Sequence, residues 1–167
     1  MNLNASRLTR LANTRTWLIA VAVLAVFSLA ALPAAASLGG NVDSVQADQA
    51  QMKATARVAT ANAAYTVHEI QTPTGTVVRE YVTPGGQVFA VSWRGPARPN
   101  LQQLFGSYYD QYVRAAQQAK MQQPGHGPGS IQEPNLVVHS GGRMRFYVGK
   151  AYIPQMVPDG VQIDALQ

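Results

Sequence analysis

Two short segments of one pattern, Thr72-Pro73-Thr74-Gly75 and Thr83-Pro84-Gly85-Gly86, interrupt a run of β-branched and aromatic residues between positions 64 and 93. No other feature constrains the chain so tightly. Proline presets the backbone angle that starts a turn, and glycine supplies the left-handed residue of a three-residue bulged loop. The flanking segments, YTVHEIQ, TVVREYV and QVFAVSW, carry the residue types that strands favour. The pattern predicts a three-stranded antiparallel meander.

Three-residue loops also set the register, with Thr72 opposite Thr76 and Thr83 opposite Gln87. Counting outward pairs His68 with Glu80 and Glu69 with Arg79. Neighbours along a strand point to opposite faces, so His68 and Glu69 do not meet at one substrate atom. Each has a suitable cross-strand partner instead, an arrangement worth roughly 0.2–1 kcal/mol. The His-Glu dipeptide lacks the second histidine of an HExxH zinc site. A hydrolase using a His68/Glu80 pair is the leading catalytic alternative to this structural reading. The same count puts Tyr65, Val67, Val77, Tyr81, Phe89, Val91 and Trp93 on one face. Ile70, Val78, Val82, Val88 and Ala90 share the other, and a helix is expected over the larger, more aromatic first set.

Asn41 or Asp43 can cap a helix running to about Val58, and Asn100 caps a stronger one over LQQLFGSYYDQYVRAAQQAK. In that second helix Leu101, Leu104, Phe105, Tyr108, Tyr112 and Ala116 recur at helical spacing. MQQPGHGPGSIQEP reads as a Pro/Gly-rich loop. NLVVHS, a Gly141-Gly142 turn and RMRFYVGKAYIP then form a hairpin. The expected fold is α+β: a three-stranded meander plus a C-terminal hairpin with two helices, in the order α-βββ-α-ββ.

Residues 1–36 read as a signal peptide. Arg7, Arg10 and Arg15 precede the apolar run Trp17 to Leu32, and Ala34-Ala35-Ala36 offers a small-residue cleavage site before Ser37. The apolar run is shorter than the roughly 20 residues needed to span a bilayer. Residues 37–167 then form a single domain, periplasmic or secreted, with membrane contact only through an uncleaved leader. Three of the 13 basic residues leave with the leader, so 10 remain against 8 acidic ones, or +2. That is a weak signal for a polyanion partner. The absence of cysteine excludes disulfides, thiol catalysis and Cys-based metal sites.

With Gly141-Gly142 as the turn, Arg143, Arg145 and Tyr147 share one face as a candidate binding surface. His139, Met144, Phe146 and Val148 share the other, which makes His139 a core histidine and the Met/Phe/Val side the buried one. His68, His126 and His139 are dispersed over separate segments, a poor metal constellation. GxSxG, GxGxxG and P-loop signatures are missing, and no carboxylate pair stands out. No cofactor, metal or nucleic-acid partner is expected.

LGG after the leader, YTVHEIQTPTGTVVREYVTPGGQVFAVSW, HSGGRMR and GKAYIPQMVP together resemble domain-of-unknown-function family 2844 over nearly the whole mature chain. The resemblance implies a small exported proteobacterial protein and assigns no activity or site residue. The combined expectation is a non-catalytic accessory or binding protein whose partner is an envelope protein or polymer. A weak binder of an anionic envelope polymer through the Arg143/Arg145 face is the more specific form. Protein recovered from the periplasm should have an intact mass that begins at Ser37; recovery of the full-length chain from the membrane would overturn the cleavage assignment.

Overall fold

The computed structural model describes residues 38–41, 52–53, 56–122 and 129–166. They belong to one compact unit, Ala34–Gln167. The predicted leader and the predicted Ala36/Ser37 cleavage site lie outside the described residues, as does most of the first predicted helix.

The sheet has seven antiparallel strands rather than five. β1 (Ala56–Ala61), β2 (Thr66–Gln71), β3 (Val77–Val82) and β4 (Val88–Gly95) are followed by β5 (Ser130–Glu133), β6 (Leu136–Arg143) and β7 (Phe146–Tyr152). Their spatial order is β1-β2-β3-β4-β7-β6-β5. Among the described residues the α-helical part is one segment between β4 and β5: α1 (Leu101–Phe105), a 3-10 turn and α2 (Tyr109–Gln122). This corrects the expected meander-plus-hairpin with two helices. The end of the first predicted helix, Ala56 to Val58, is strand β1. Its alanines suit either state, and pairing with β2 decides between them. Asn62 closes that hairpin, its Oδ1 accepting from the backbone N–H groups of Ala64 and Tyr65 at 2.9 and 2.8 Å. SIQE, expected within a loop, is β5.

Both TPxG loops form as expected. The N–H of Thr72 donates to Thr76 O at 2.9 Å and that of Thr83 to Gln87 O at 2.8 Å. Gly75 and Gly86 each take φ 82°, the left-handed angle the loop requires. The predicted His68–Glu80 and Glu69–Arg79 pairings are present. Asn100 caps the helix, its Oδ1 accepting from Gln103 N at 3.2 Å.

The β3–β4 register departs from simple counting. Val82 opposes Val88, but Tyr81 opposes Ala90, which leaves Phe89 as an extra residue. The outer edge of β4 changes partner at this point. The backbone of Gly39 and Gly40 bonds Val88, whereas β7 begins its pairing at Ala90. Beyond the bulge the alternation is inverted. Val91 and Trp93 join Ile70, Val78, Val82 and Val88 on the face that packs under Leu104, Phe105 and Ala115. The helix therefore covers the opposite face from the one expected. Tyr81, Phe89 and Ala90 form a second core with Leu166, flanked by Val157, Val161 and Ile163 of the C-terminal tail.

The final hairpin is also re-registered. Gly142 pairs with Tyr147 and Arg143 with Phe146, so the turn is Met144-Arg145 rather than Gly141-Gly142. Arg143 thus lies on β6, on the opposite face from Tyr147, and Arg145 sits in the turn with φ 65°. Met144 and Phe146 are 88% and 41% exposed, so the expected burial of the Met/Phe side does not hold for these two.

The inverted β4 can be tested at Gly149, which pairs with Trp93. A Cβ at Gly149 would overlap the indole ring, whereas one at Gly141 would meet nothing within 4 Å. Gly149→Ala should cost about 1–3 kcal/mol in denaturant unfolding, and Gly141→Ala less than about 0.5 kcal/mol. Equal effects would mean that Trp93 faces the other way.

Candidate functional site

Seven strands in register place residues in rows across the sheet. One row under the helical face runs Ala59, His68, Glu80, Val91, Ala151, Val138, Ile131. It holds the sequence-derived catalytic candidates, and it is largely apolar. His68 is 6% exposed and Glu80 1%, on the same face as core residues Ile70 and Val78. Side chains buried this deeply are out of reach of a substrate at the protein surface.

The adjacent row points to the other face and is polar: Val58, Glu69, Arg79, Ser92, Lys150, His139, Ser130. Its members are fixed individually. Arg79 Nε donates to Glu69 Oε2 at 2.8 Å, a partly exposed ion pair worth at most about 1 kcal/mol. Ser92, buried at 4% exposure, shares a 3.3 Å hydrogen bond with the Tyr81 hydroxyl. Lys150 Nζ donates to Ile163 O at 3.0 Å and Asp164 Oδ1 at 3.1 Å, which ties the tail to the sheet. His139 Nδ1 lies 3.2 Å from Ser130 Oγ. The ring is half-buried rather than in the core.

Two residues along the strands, the next row on this face carries Val77, Arg94, Val148 and Gly141. Between these rows and the tail lies a cleft of about 390 Å³, bounded by Ser92, Arg94, His139, Val148, Lys150 and Asp164. Two permanent cations and one carboxylate line it, with Val148 and Leu166 supplying apolar surface. Arg143, paired with Phe146, continues the same face two residues beyond Gly141, about 7 Å further along. Lys150, Arg94 and Arg143 thus form a basic strip. Such a strip suits anionic groups, and the His139 imidazole stands beside it in the cleft.

Of the three sequence-derived binding residues, Arg143 lies on this strip. Arg145 is at the hairpin tip and Tyr147 on the reverse face, with the Arg98 guanidinium 5.5 Å from its ring centroid. Ser92, Arg94, Lys150 and Asp164 went unnoticed in the sequence. The bulge at Phe89 reverses the direction of Ser92 and Arg94, and the tail that brings Asp164 to Lys150 carries no local pattern. His68 and Glu80 do not reach the cleft, because they project from the opposite side of the sheet.

Residues 34–166 match a family model described as protein of unknown function (DUF2844). No curated protein and no solved structure matches the chain.

The Tyr81–Ser92 contact predicts a pH signature. Burial raises the Tyr81 phenol above its ordinary value of 10.0, and the Ser92 hydrogen bond partly offsets this. A folded-state value above the unfolded one gives stability that is complete below the unfolded value and is lost as pH rises through the folded value. Phenolate absorbance should therefore show Tyr81 ionising above ordinary tyrosine. Ser92→Ala should move it higher still and cost about 1 kcal/mol. An unchanged or lowered Tyr81 titration in Ser92→Ala would mean that the hydroxyls are not bonded.

Proposed function

We propose a function on the premise that the chain belongs to the DUF2844 family, whose description assigns no activity: an exported, non-catalytic binding protein of the bacterial envelope. Its ligand is a segment of an anionic polymer, held along the strip of Lys150, Arg94 and Arg143. The single observation that carries this reading is the cleft itself, where Arg94 stands beside the Lys150–Asp164 pair and Arg143 continues the same face. The cleft has room for one or two residues of a polymer, and its apolar floor can accept a ring or a short aliphatic segment.

The export component rests on the Arg7/Arg10/Arg15 segment, the apolar run and the Ala34-Ala35-Ala36 site. The binding component replaces the Arg143/Arg145/Tyr147 surface, because only Arg143 shares a face with the cleft. A hydrolase working through His68 and Glu80 would need substrate to enter the apolar row on the other side, and both side chains are nearly inaccessible there.

Polygalacturonate, a carboxylate polymer, is a suitable probe for calorimetric titration. The protein should bind it with an affinity that falls as salt is added. The Arg94→Ser/Arg143→Ser variant should bind at least about tenfold more weakly while keeping its thermal midpoint. Absence of binding, or equal binding by the variant, would overturn the proposal.

A further inference from the structure

The tip of the β6–β7 hairpin is chemically unlike the rest of the described surface. Among the described residues, the exposed large apolar side chains are Val58, Met121, Met144 and Phe146. Val58 and Met121 stand singly on β1 and at the end of α2, which needs no explanation. Met144 and Phe146 stand together, on either side of Arg145 in the turn.

A two-residue hairpin turn favours asparagine and glycine, which tolerate positive φ. Met144-Arg145 has neither, and Arg145 is held at φ 65°. Non-glycine residues seldom adopt that angle, and such strain concentrates where side chains have a task. The task here is legible from charge. Arg143 and Arg145 flank Met144, and the Arg94 guanidinium lies 5.2 Å from the Phe146 ring centroid. Arg98 stands over Tyr147. The two segments that build the tip, RGPAR at 94–98 and GGRMRFY at 141–147, hold four arginines and no carboxylate.

We infer that this tip docks on an anionic phospholipid surface, with Met144 and Phe146 entering the headgroup boundary and the four arginines meeting phosphates. The geometry fits that partner in three ways. The apolar pair is at the end of a hairpin paired up to Arg143 and Phe146, where it is already exposed. Arginine stems can lie along apolar surface while their heads reach phosphate oxygens. Phe146 and Tyr147 are aromatic, and arginine-stacked rings are at home at the boundary between hydrocarbon and water. The apolar pair stands outside the cleft, since neither Met144 nor Phe146 lines it, while Arg94 and Arg143 are shared between the two surfaces. The tip gives the chain a second route to a membrane besides its leader.

Co-sedimentation tests this. Protein recovered from the periplasm, with its mass confirming loss of the apolar leader, is mixed with phosphatidylcholine vesicles with or without about one third phosphatidylglycerol. Binding should require the anionic lipid and weaken about fivefold for each arginine removed by Arg143→Ser or Arg145→Ser. Met144→Ser/Phe146→Ser should lower partitioning about tenfold or more with the thermal midpoint retained. Soluble dextran sulfate separates lipid docking from plain polyanion binding. If the Met144→Ser/Phe146→Ser variant still sediments with vesicles like the unsubstituted protein, the arginines bind any polyanion and lipid insertion is wrong. Failure of the unsubstituted protein to sediment with anionic vesicles would also overturn it, and polygalacturonate binding in the cleft would be unaffected by that failure.

Discussion

One extra residue in β4 governs this structure. Phe89 has no opposite number on β3, and from Ala90 onward every side chain of the strand is turned to the other face. Two commitments force the insertion. The Thr83–Gln87 loop fixes the start of β4, while the outer edge is bonded first by Gly39 and Gly40 and then by β7. The bulge reconciles the two registers. Its result is that Trp93 lies under the helix, 6.0 Å from Phe105 between ring centroids, while Ser92 and Arg94 open onto the cleft.

Both faces of the sheet are covered, by different means. The helical segment supplies aromatic rings, with Phe105 and Tyr112 edge to face at 5.0 Å. The other face is closed at one end by Tyr65, Tyr81 and Phe89 and by the tail that Lys150 holds. The cleft is where that second cover stops. Lys150 therefore has two roles, securing the tail through Ile163 and Asp164 and lining the cleft beside Arg94.

The resemblance motifs now have physical reasons. In LGG, Leu38 is fully buried and donates its N–H to Leu104 O, and the glycines run beside Val88. In GKAYIP, the glycine leaves room for the Trp93 indole, Lys150 holds the tail, and Ala151 and Ile153 are core. Thr76, directly after the first TPxG segment, bonds Ala97 in both directions, which anchors RGPAR to that turn. These are packing reasons.

The sequence by itself determined the two TPxG loops, the β2–β3 register with its His68–Glu80 and Glu69–Arg79 pairs, and the helix that Asn100 caps. Each depends on residues within a dozen positions of one another, where turn chemistry and periodicity act directly. Only the tertiary structure decided the rest. β1 and β5 are short and weakly patterned, and they are strands because β2 and β6 offer hydrogen bonds. The Phe89 bulge arises from partners on two sides of one strand, so counting along the chain missed it. The hairpin turn moved from Gly141-Gly142 to Met144-Arg145 because β7 must match β4 as well as β6. Faces, and with them the cleft and the arginine tip, follow from that shared register, which no local stretch of sequence contains.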